Sequence, residues 1–331
     1  MKKILLAVIL PVAMACTGHG NRTASSTQAS ATETPAARSL DVVDFNADSA
    51  YSHVAAQVGF GPRIPGTPAH AACVDYIAGK LRGYGADTVI IQRTTADDHR
   101  GGTIPVANIL ARYNPDAQRR VLLLAHYDTR PWADNDPDPA NRNKPVPGAN
   151  DGASGVGVLL ELARQLGGKA PAAGVDILMV DAEDGGDDGD EESWCLGTQQ
   201  WLRSNPYAGI SRPAYAILLD MVGGEGAVFR REIVSDHFAR SVNDRIWAVA
   251  AASGYADRFV NASGGGVTDD HLFINRAGIP AVDIIDAAHP ATGSFPPQWH
   301  TVADDLPAIS ATTLKAVGQT VANVVYSEKS E

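Results

Sequence analysis

Apolar residues recur every three or four positions in five stretches, about 47–58, 68–84, 153–167, 237–253 and 309–327, and that period predicts helices there. Between them lie short unbroken apolar runs: Val89–Gln92, Val106–Tyr113, Val121–Ala125, Val175–Val180, Ala216–Leu219 and Ala281–Ile285. Runs of this kind suit strands buried on both faces. Helices alternating with buried strands predict an α/β domain with a central sheet covered on both sides. The links joining 89–92, 106–113 and 121–125 are short, which predicts antiparallel pairing among these three and therefore a mixed sheet. No repeat or second linker interrupts residues 40–331, so they are read as one domain.

The start of the chain is patterned differently. Lys2 and Lys3 precede an apolar run from Ile4 to Ala15, with small residues before Cys16. This is the layout of an export signal, too short to span a bilayer. Val12-Ala13-Met14-Ala15-Cys16 is close to a bacterial lipobox, with Ala13 where Leu is usual. The favoured reading makes 1–16 a lipoprotein signal and Cys16 the lipidated residue; the alternative is an ordinary signal cut near Ala15. Residues 17–39 are rich in Thr, Ser, Ala and Gly and lack bulky apolar residues, so they are read as a flexible tether. The expectation is an exported, periplasm-facing protein that meets the membrane only through its lipid.

Charge narrows the partners. The 331 residues carry a formal charge of −11, and no basic cluster exceeds two residues, which argues against nucleic-acid binding. Beyond Cys16 two cysteines remain, Cys73 and Cys195, either a bridge or two buried thiols.

The chemistry collects at strand ends. Val121–Ala125 runs into His126-Tyr127-Asp128, and Val175–Val180 into Asp181-Ala182-Glu183-Asp184. Ala216–Leu219 ends in Asp220 and Ala281–Ile285 in Asp286. In open α/β sheets the crevice beyond the carboxyl ends of strands is the usual binding site. Acids converging there repel one another and lose hydration, so a cation should offset them. Asp151, just before the predicted helix at 153, alone reads as a helix cap. Taken with His126 and with His300 in Gln298-Trp299-His300-Thr301, it completes a carboxylate and imidazole set suited to catalytic zinc. Within Glu183-Asp184 one acid can bind metal while its neighbour moves protons. A further run, Asp187-Asp188-Gly189-Asp190-Glu191-Glu192, is either a Ca²⁺ loop or a solvated acidic loop. The solvated loop is favoured, because nothing in the sequence fixes its geometry.

The order His126-x-Asp128, Asp151, Glu183-Asp184, Asp220, His300 resembles the zinc aminopeptidase superfamily that also contains the animal-type glutaminyl cyclases. The resemblance extends from Gly61-Pro62-Arg63-Ile64-Pro65-Gly66-Thr67 to Trp299-His300-Thr301 and implies a mixed sheet flanked by helices. A two-zinc aminopeptidase would use His126, Asp151, Asp184, Asp220 and His300, with Asp151 bridging the ions. A cyclase needs one zinc, because the amine of an N-terminal Gln attacks its own side-chain amide.

Thr268-Asp269-Asp270-His271 has an acid pair where the aminopeptidases commonly have Ser-Asp-His, and in this it resembles the cyclases. Trp299, Phe295 and the segment Glu192-Ser193-Trp194-Cys195-Leu196-Gly197 resemble them too. The resemblance therefore implies a glutaminyl-peptide cyclotransferase, an acyltransferase that forms pyroglutamate on peptides that begin with Gln; a monomer is the expectation, which the sequence itself does not address. It implies one zinc on Asp151, Asp184 and His300, with a second not excluded. Glu183, Asp220 and Asp269 are the implied catalytic acids, and Trp299, Phe295 and Trp194 the implied substrate contacts. His126 and Asp128 take supporting positions or mark a lost second metal, and Asp283 departs from the animal pattern, where a histidine stands. The alternatives are a zinc aminopeptidase and a non-catalytic surface lipoprotein.

Overall fold

The computed structural model describes residues 43–208, 210 and 212–330. The signal segment 1–16 with Cys16, and the tether 17–39, lie outside the described residues. Six strands form the main sheet: β1 (Thr88–Asp97), β2 (Thr103–Tyr113), β3 (Arg120–His126), β4 (Gly174–Val180), β5 (Tyr215–Asp220) and β8 (Ala281–Ile285). Their spatial order is β1-β2-β4-β3-β5-β8. β1 and β2 pair antiparallel, as do β2 and β4, while β4, β3, β5 and β8 run parallel. A short parallel pair, β6 (Phe229–Arg231) with β7 (Phe259–Ser263), stands apart.

The sheet is mixed, as expected, but β3 does not pair with β2. β4 lies between them. All seven residues of β3 are buried, so it gains most from two neighbours in the centre of the sheet. The link 114–119 is long enough to step past one strand, because two strand spacings are only about 10 Å. Arg120 fixes the step by donating to the carbonyls of Asn114 and Pro115 and to Asp176 on β4.

Alternate strand residues face different cores. Val121, Leu123 and Ala125 pack with α1 (Ala47–Gly59), α2 (Pro68–Gly83), α3 (Ala153–Gly168), α5 (Ile233–Ala252) and α7 (Ala311–Tyr326). Leu122 and Leu124 pack with Trp201 of α4 (Leu196–Arg203) and Ile274 of α6 (Asp270–Arg276). The sequence pattern missed α4 and α6, because eight and seven residues are too few to display a helical period. α5 starts at Ile233 rather than 237, since the Glu232 carboxylate accepts from the backbone N–H of Val234 and Ser235 and caps the helix early. β1 runs on to Asp97 as an edge strand with exposed polar residues that no apolar run marks.

Cys73 and Cys195 are both buried free thiols. No described helix is long and apolar enough to cross a membrane.

Gly155 sets how close the start of α3 comes to the end of β5. A Cβ there would lie 2.1 Å from the Leu219 carbonyl oxygen. Overpacking of this kind costs about 1–3 kcal/mol. Gly155→Ala is expected to lower the urea midpoint by that order with an unchanged m-value; an unaltered midpoint would contradict the close approach.

Candidate active site

The carboxyl edge of β3, β4, β5 and β8 is where the acids meet. β3 ends in His126, β4 leads into Glu183 and Asp184, and β5 ends in Asp220. Asp151 arrives from the loop before α3, Asp269 from the start of α6, and His300 from the segment before α7. Every one of these side chains is buried.

Two ligand groups share one residue. The donor atoms of Asp151, Asp184 and His300 lie within 4.8 Å of one another, and so do those of His126, Asp151 and Asp220. Asp151 faces both ways: Oδ1 is 3.0 Å from His126 Nε2, and Oδ2 is 3.8 Å from His300 Nε2. Asp184 Oδ1 is 3.1 Å from His300 Nε2. The set has the chemistry of a cation site, and a buried ligand oxygen is left over for one: Asp184 Oδ2 has no hydrogen-bond partner among the described residues. Such an atom is costly unless something binds it. His126 turns Nε2 to the ligand group and Nδ1 toward Asp128, at 3.5 Å. The capping reading of Asp151 does not hold, because Gly152 is the cap and no side chain bonds the helix start.

The ligand loops are held by backbone bonds. Asp128 accepts from the N–H of Glu183 at 3.1 Å and of Asp184 at 3.2 Å. Asp304 accepts from the N–H of Asn150 at 2.8 Å and of Asp151 at 3.1 Å. Arg63 is fully buried and donates to the carbonyls of Tyr127, Pro147 and Gly148, tying the His126 turn to the Asp151 loop. Gly152 permits that approach, since a Cβ there would lie 2.5 Å from the His126 carbonyl oxygen. Sequence reasoning placed Arg63 within the resemblance and missed both its bracing role and that of Asp304; a lone Arg or Asp carries no signal of this kind.

Beside the ligands is a pocket of about 370 Å³ lined by Glu183, Asp220, Asp269, Trp194, Phe295 and Trp299, among others. The Trp299 ring stacks on His300 at 3.9 Å between centroids, and Phe295 follows at 4.2 Å from Trp299. Donor atoms of Glu183, Cys195 and Asp269 lie within 4.8 Å of one another. The Cys195 thiol donates to Glu183 Oε1 at 3.5 Å. Asp220 bonds His126 Nε2 at 3.2 Å, which sets it on the ligand side of the pocket.

Burial drives the Glu183 carboxyl well above its usual range; His126 opposes this, while Asp184 and Asp269 add to it. Asp269 is likewise raised by burial and then by Asp220. A raised carboxyl holds a proton more firmly than a solvated one, which suits a group that exchanges protons with a substrate. Ala182, Cys195, Met221 and His300 all have φ between 46° and 55°, a left-handed backbone that non-glycine residues seldom adopt.

The acid pair 269–270 divides into two roles. Asp269 begins α6, accepts from its neighbour's N–H at 2.5 Å and faces the pocket. Asp270 is turned inward and fully buried. Behind Asp269 stand Asp283 and His271, with donor atoms within 4.8 Å. His271 Nε2 bonds Glu232 at 3.0 Å. The loop 187–192 shows no metal-holding group among the described residues. Its acids pair outward, Asp187 with Arg100, Asp190 with His99 and Glu191 with Arg276, which is the behaviour of a surface loop.

Burial works to raise the Glu232 carboxyl, but bonds from His271, Ser235 and Val234 outweigh it and hold it at about 2, against an ordinary 4.5. A depressed carboxylate stabilises the fold above its unfolded pKa, and that stability is lost as pH falls toward the folded one. The window is therefore pH 4.5 down to 2, and the shift is worth roughly 3 kcal/mol. Glu232→Gln should be less stable than the parent at pH 6 by about that amount, with the gap closing toward pH 2 in urea unfolding. A gap independent of pH would refute the assignment.

The description "Peptidase family M28" matches residues 108–325. A solved glutaminyl cyclase of Bacteroides thetaiotaomicron, bound to N-acetylhistamine, is 49% identical over 87% of this chain and 100% of that one, with a TM-score of 0.84. A structure described as a leucine aminopeptidase precursor, from the same organism, is 47% identical over 88% of this chain and 100% of that one, with a TM-score of 0.83. The glutaminyl-peptide cyclotransferase of Gloydius blomhoffii is 25% identical, covering 73% of this chain and 71% of its own. With two thirds of its length in that match and its ligand-bearing strand ends inside it, the chain belongs to Peptidase family M28.

Proposed function

We infer that the protein is a glutaminyl-peptide cyclotransferase, which converts the N-terminal Gln of peptides to pyroglutamate and releases ammonia. One observation carries the reading: the first acid of the 269–270 pair faces a small aromatic-walled pocket within 4.8 Å of Glu183. Similar solved structures support it, among them glutaminyl cyclases of Tannerella forsythia and Porphyromonas gingivalis at 45% and 47% identity.

Amine and amide belong to one molecule, so holding the Gln in a folded conformer removes much of the entropic barrier. Phe295, Trp299 and Trp194 would wall the side chain and exclude water. Asp269 would bond the amide nitrogen. Glu183 would take a proton from the attacking amine as the new C–N bond forms, then return it to the departing amide nitrogen as ammonia leaves. Asp128 would keep Glu183 and Asp184 in place through their backbone. Asp151, Asp184 and His300 would hold one zinc ion, which when bound polarises the amide carbonyl as a Lewis acid.

One observation favours a second reading, zinc aminopeptidase. His126, Asp151 and Asp220 form a complete second ligand group. Under the cyclase reading one zinc suffices, and the His126 group is a position that fills only at high metal concentration, with Asp220 free to assist Glu183.

Incubating the zinc-loaded domain with a peptide beginning in Gln should give loss of one ammonia with the chain intact, read by mass spectrometry. Shortening by one residue would instead establish the aminopeptidase. Glu183→Gln should retain zinc yet lose turnover by about 100-fold or more. Asp269→Asn should also slow turnover with the fold intact, and normal turnover would remove its role. Asp184→Ala and His300→Ala should lose bound zinc by elemental analysis; a full complement would contradict the ligand set.

Export and lipid attachment at Cys16 belong to the same proposal and rest on the pattern of Lys2, Lys3 and the apolar run before Cys16. Cys16→Ser should move the protein from the membrane fraction to the soluble one. We take the enzyme to be a monomer.

A further inference from the structure

A second cavity, of about 600 Å³, adjoins the active pocket and shares Gly266, Val267 and Phe295 with it. Its size falls within the roughly 300–1,000 Å³ of ligand-holding sites. Val267, Ala287, Ala288 and Pro290 give it apolar walls. One guanidinium lines it, Arg230 on β6, together with His289, whose Nε2 lies 3.3 Å from the Glu225 carbonyl oxygen.

Nearby arginines are engaged. Arg231 pairs with Asp236 and Asp244, and Arg258 donates to the Ala227 carbonyl. Arg230 is half-buried, and neither an ion pair nor a hydrogen bond of its guanidinium occurs among the described residues. The acid closest in sequence, Glu232, is buried and taken up by His271, Ser235 and Val234. Arg230 therefore offers an uncompensated positive charge to a groove that shares three lining residues with the reaction pocket. On the other side of the active pocket Asp188 lines the wall, and Glu191 beside it is paired with Arg276.

A peptide beginning in Gln has its amine at one end and the rest of its chain leading away. In the proposed reaction the amine lies at Glu183, so the rest of the chain has to lead out of the pocket. The only opening with an unpaired cation among these two cavities is the groove at Arg230. We propose that this groove holds the residues that follow the N-terminal Gln, and that Arg230 pairs with an acidic side chain among the second to fourth of them. This rests on the cyclase reading above. It makes the enzyme selective for peptides with an acidic residue close behind the Gln.

The test uses tetrapeptide amides beginning in Gln, with Glu, Gln or Lys placed in turn at positions two, three and four, and glutamine amide as a minimal substrate. At one position Glu should exceed Gln by about three- to tenfold in kcat/KM, mostly through KM, because partly exposed ion pairs are worth modest amounts. The gain should shrink as salt rises. Arg230→Gln should abolish it, and Arg230→Glu should reverse the preference toward Lys. Both variants should turn over glutamine amide like the parent, which shows the fold and reaction site are intact. Cyclisation indifferent to charge at every position, or a Glu preference that survives in Arg230→Gln, would overturn the inference and leave the cyclase reading standing. Cyclisation of none of these substrates by the parent would overturn the cyclase reading and this inference with it.

Discussion

The site is governed by the cost of gathering carboxylates away from water. Asp128, Asp151, Glu183, Asp184, Asp220, Asp269, Asp270 and Asp283 are all buried at one edge of the sheet. Each uncompensated charge of this kind costs several kcal/mol. Part of the compensation is in the chain. His126 lies against Asp151 and Asp220, His300 against Asp184, and Arg130 near Asp184. Part comes from backbone N–H groups aimed at Asp128 and Asp304. The remainder is the capacity to bind a cation, and that capacity is what gives the edge its chemistry.

Adjacent residues do different work because the backbone turns between them. Asp184 points to His300, whereas Glu183 points to the Cys195 thiol and the pocket. The left-handed conformation of Ala182 is part of that turn, and Asp128 grips the backbone of both acids. One peptide unit thus sends two carboxylates in different directions, the division that the proposed proton transfer and metal binding require. On the other side Arg63 binds three carbonyls from two loops and so ties the His126 turn to the Asp151 loop through the chain's own atoms.

The similar solved structures carry names of both kinds, glutaminyl cyclase and leucine aminopeptidase precursor. Two features separate the activities here. The cleavage reading needs both ligand groups around Asp151. The cyclase reading needs an acid opposite Glu183 in an aromatic-walled pocket, and Asp269 lies there with Trp299 and Phe295.

How much of this was legible depends on the range of the interactions. The helical periods near 47–58, 68–84 and 153–167 and the buried strands are local patterns, and α1, α2 and α3 formed almost as read. The acids at strand ends were legible for the same reason: the end of an apolar run marks its own position. α4 and α6 escaped notice because they are too short to show a period. The neighbour of β3 escaped notice because a six-residue link permits either a hairpin or a step past a strand, and only the packing of both sheet faces decides. Asp151 reads locally as a cap. Only the approach of His126 and His300, from parts of the chain far from it in sequence, makes it the shared member of two ligand groups. Cys195 beside Glu183, Asp304 under Asp151 and the unpaired Arg230 on its groove are likewise long-range encounters. The sequence by itself determined the residue types and the strand ends that bear them; the tertiary structure decided which meet, because contact between distant residues is set by packing rather than by spacing.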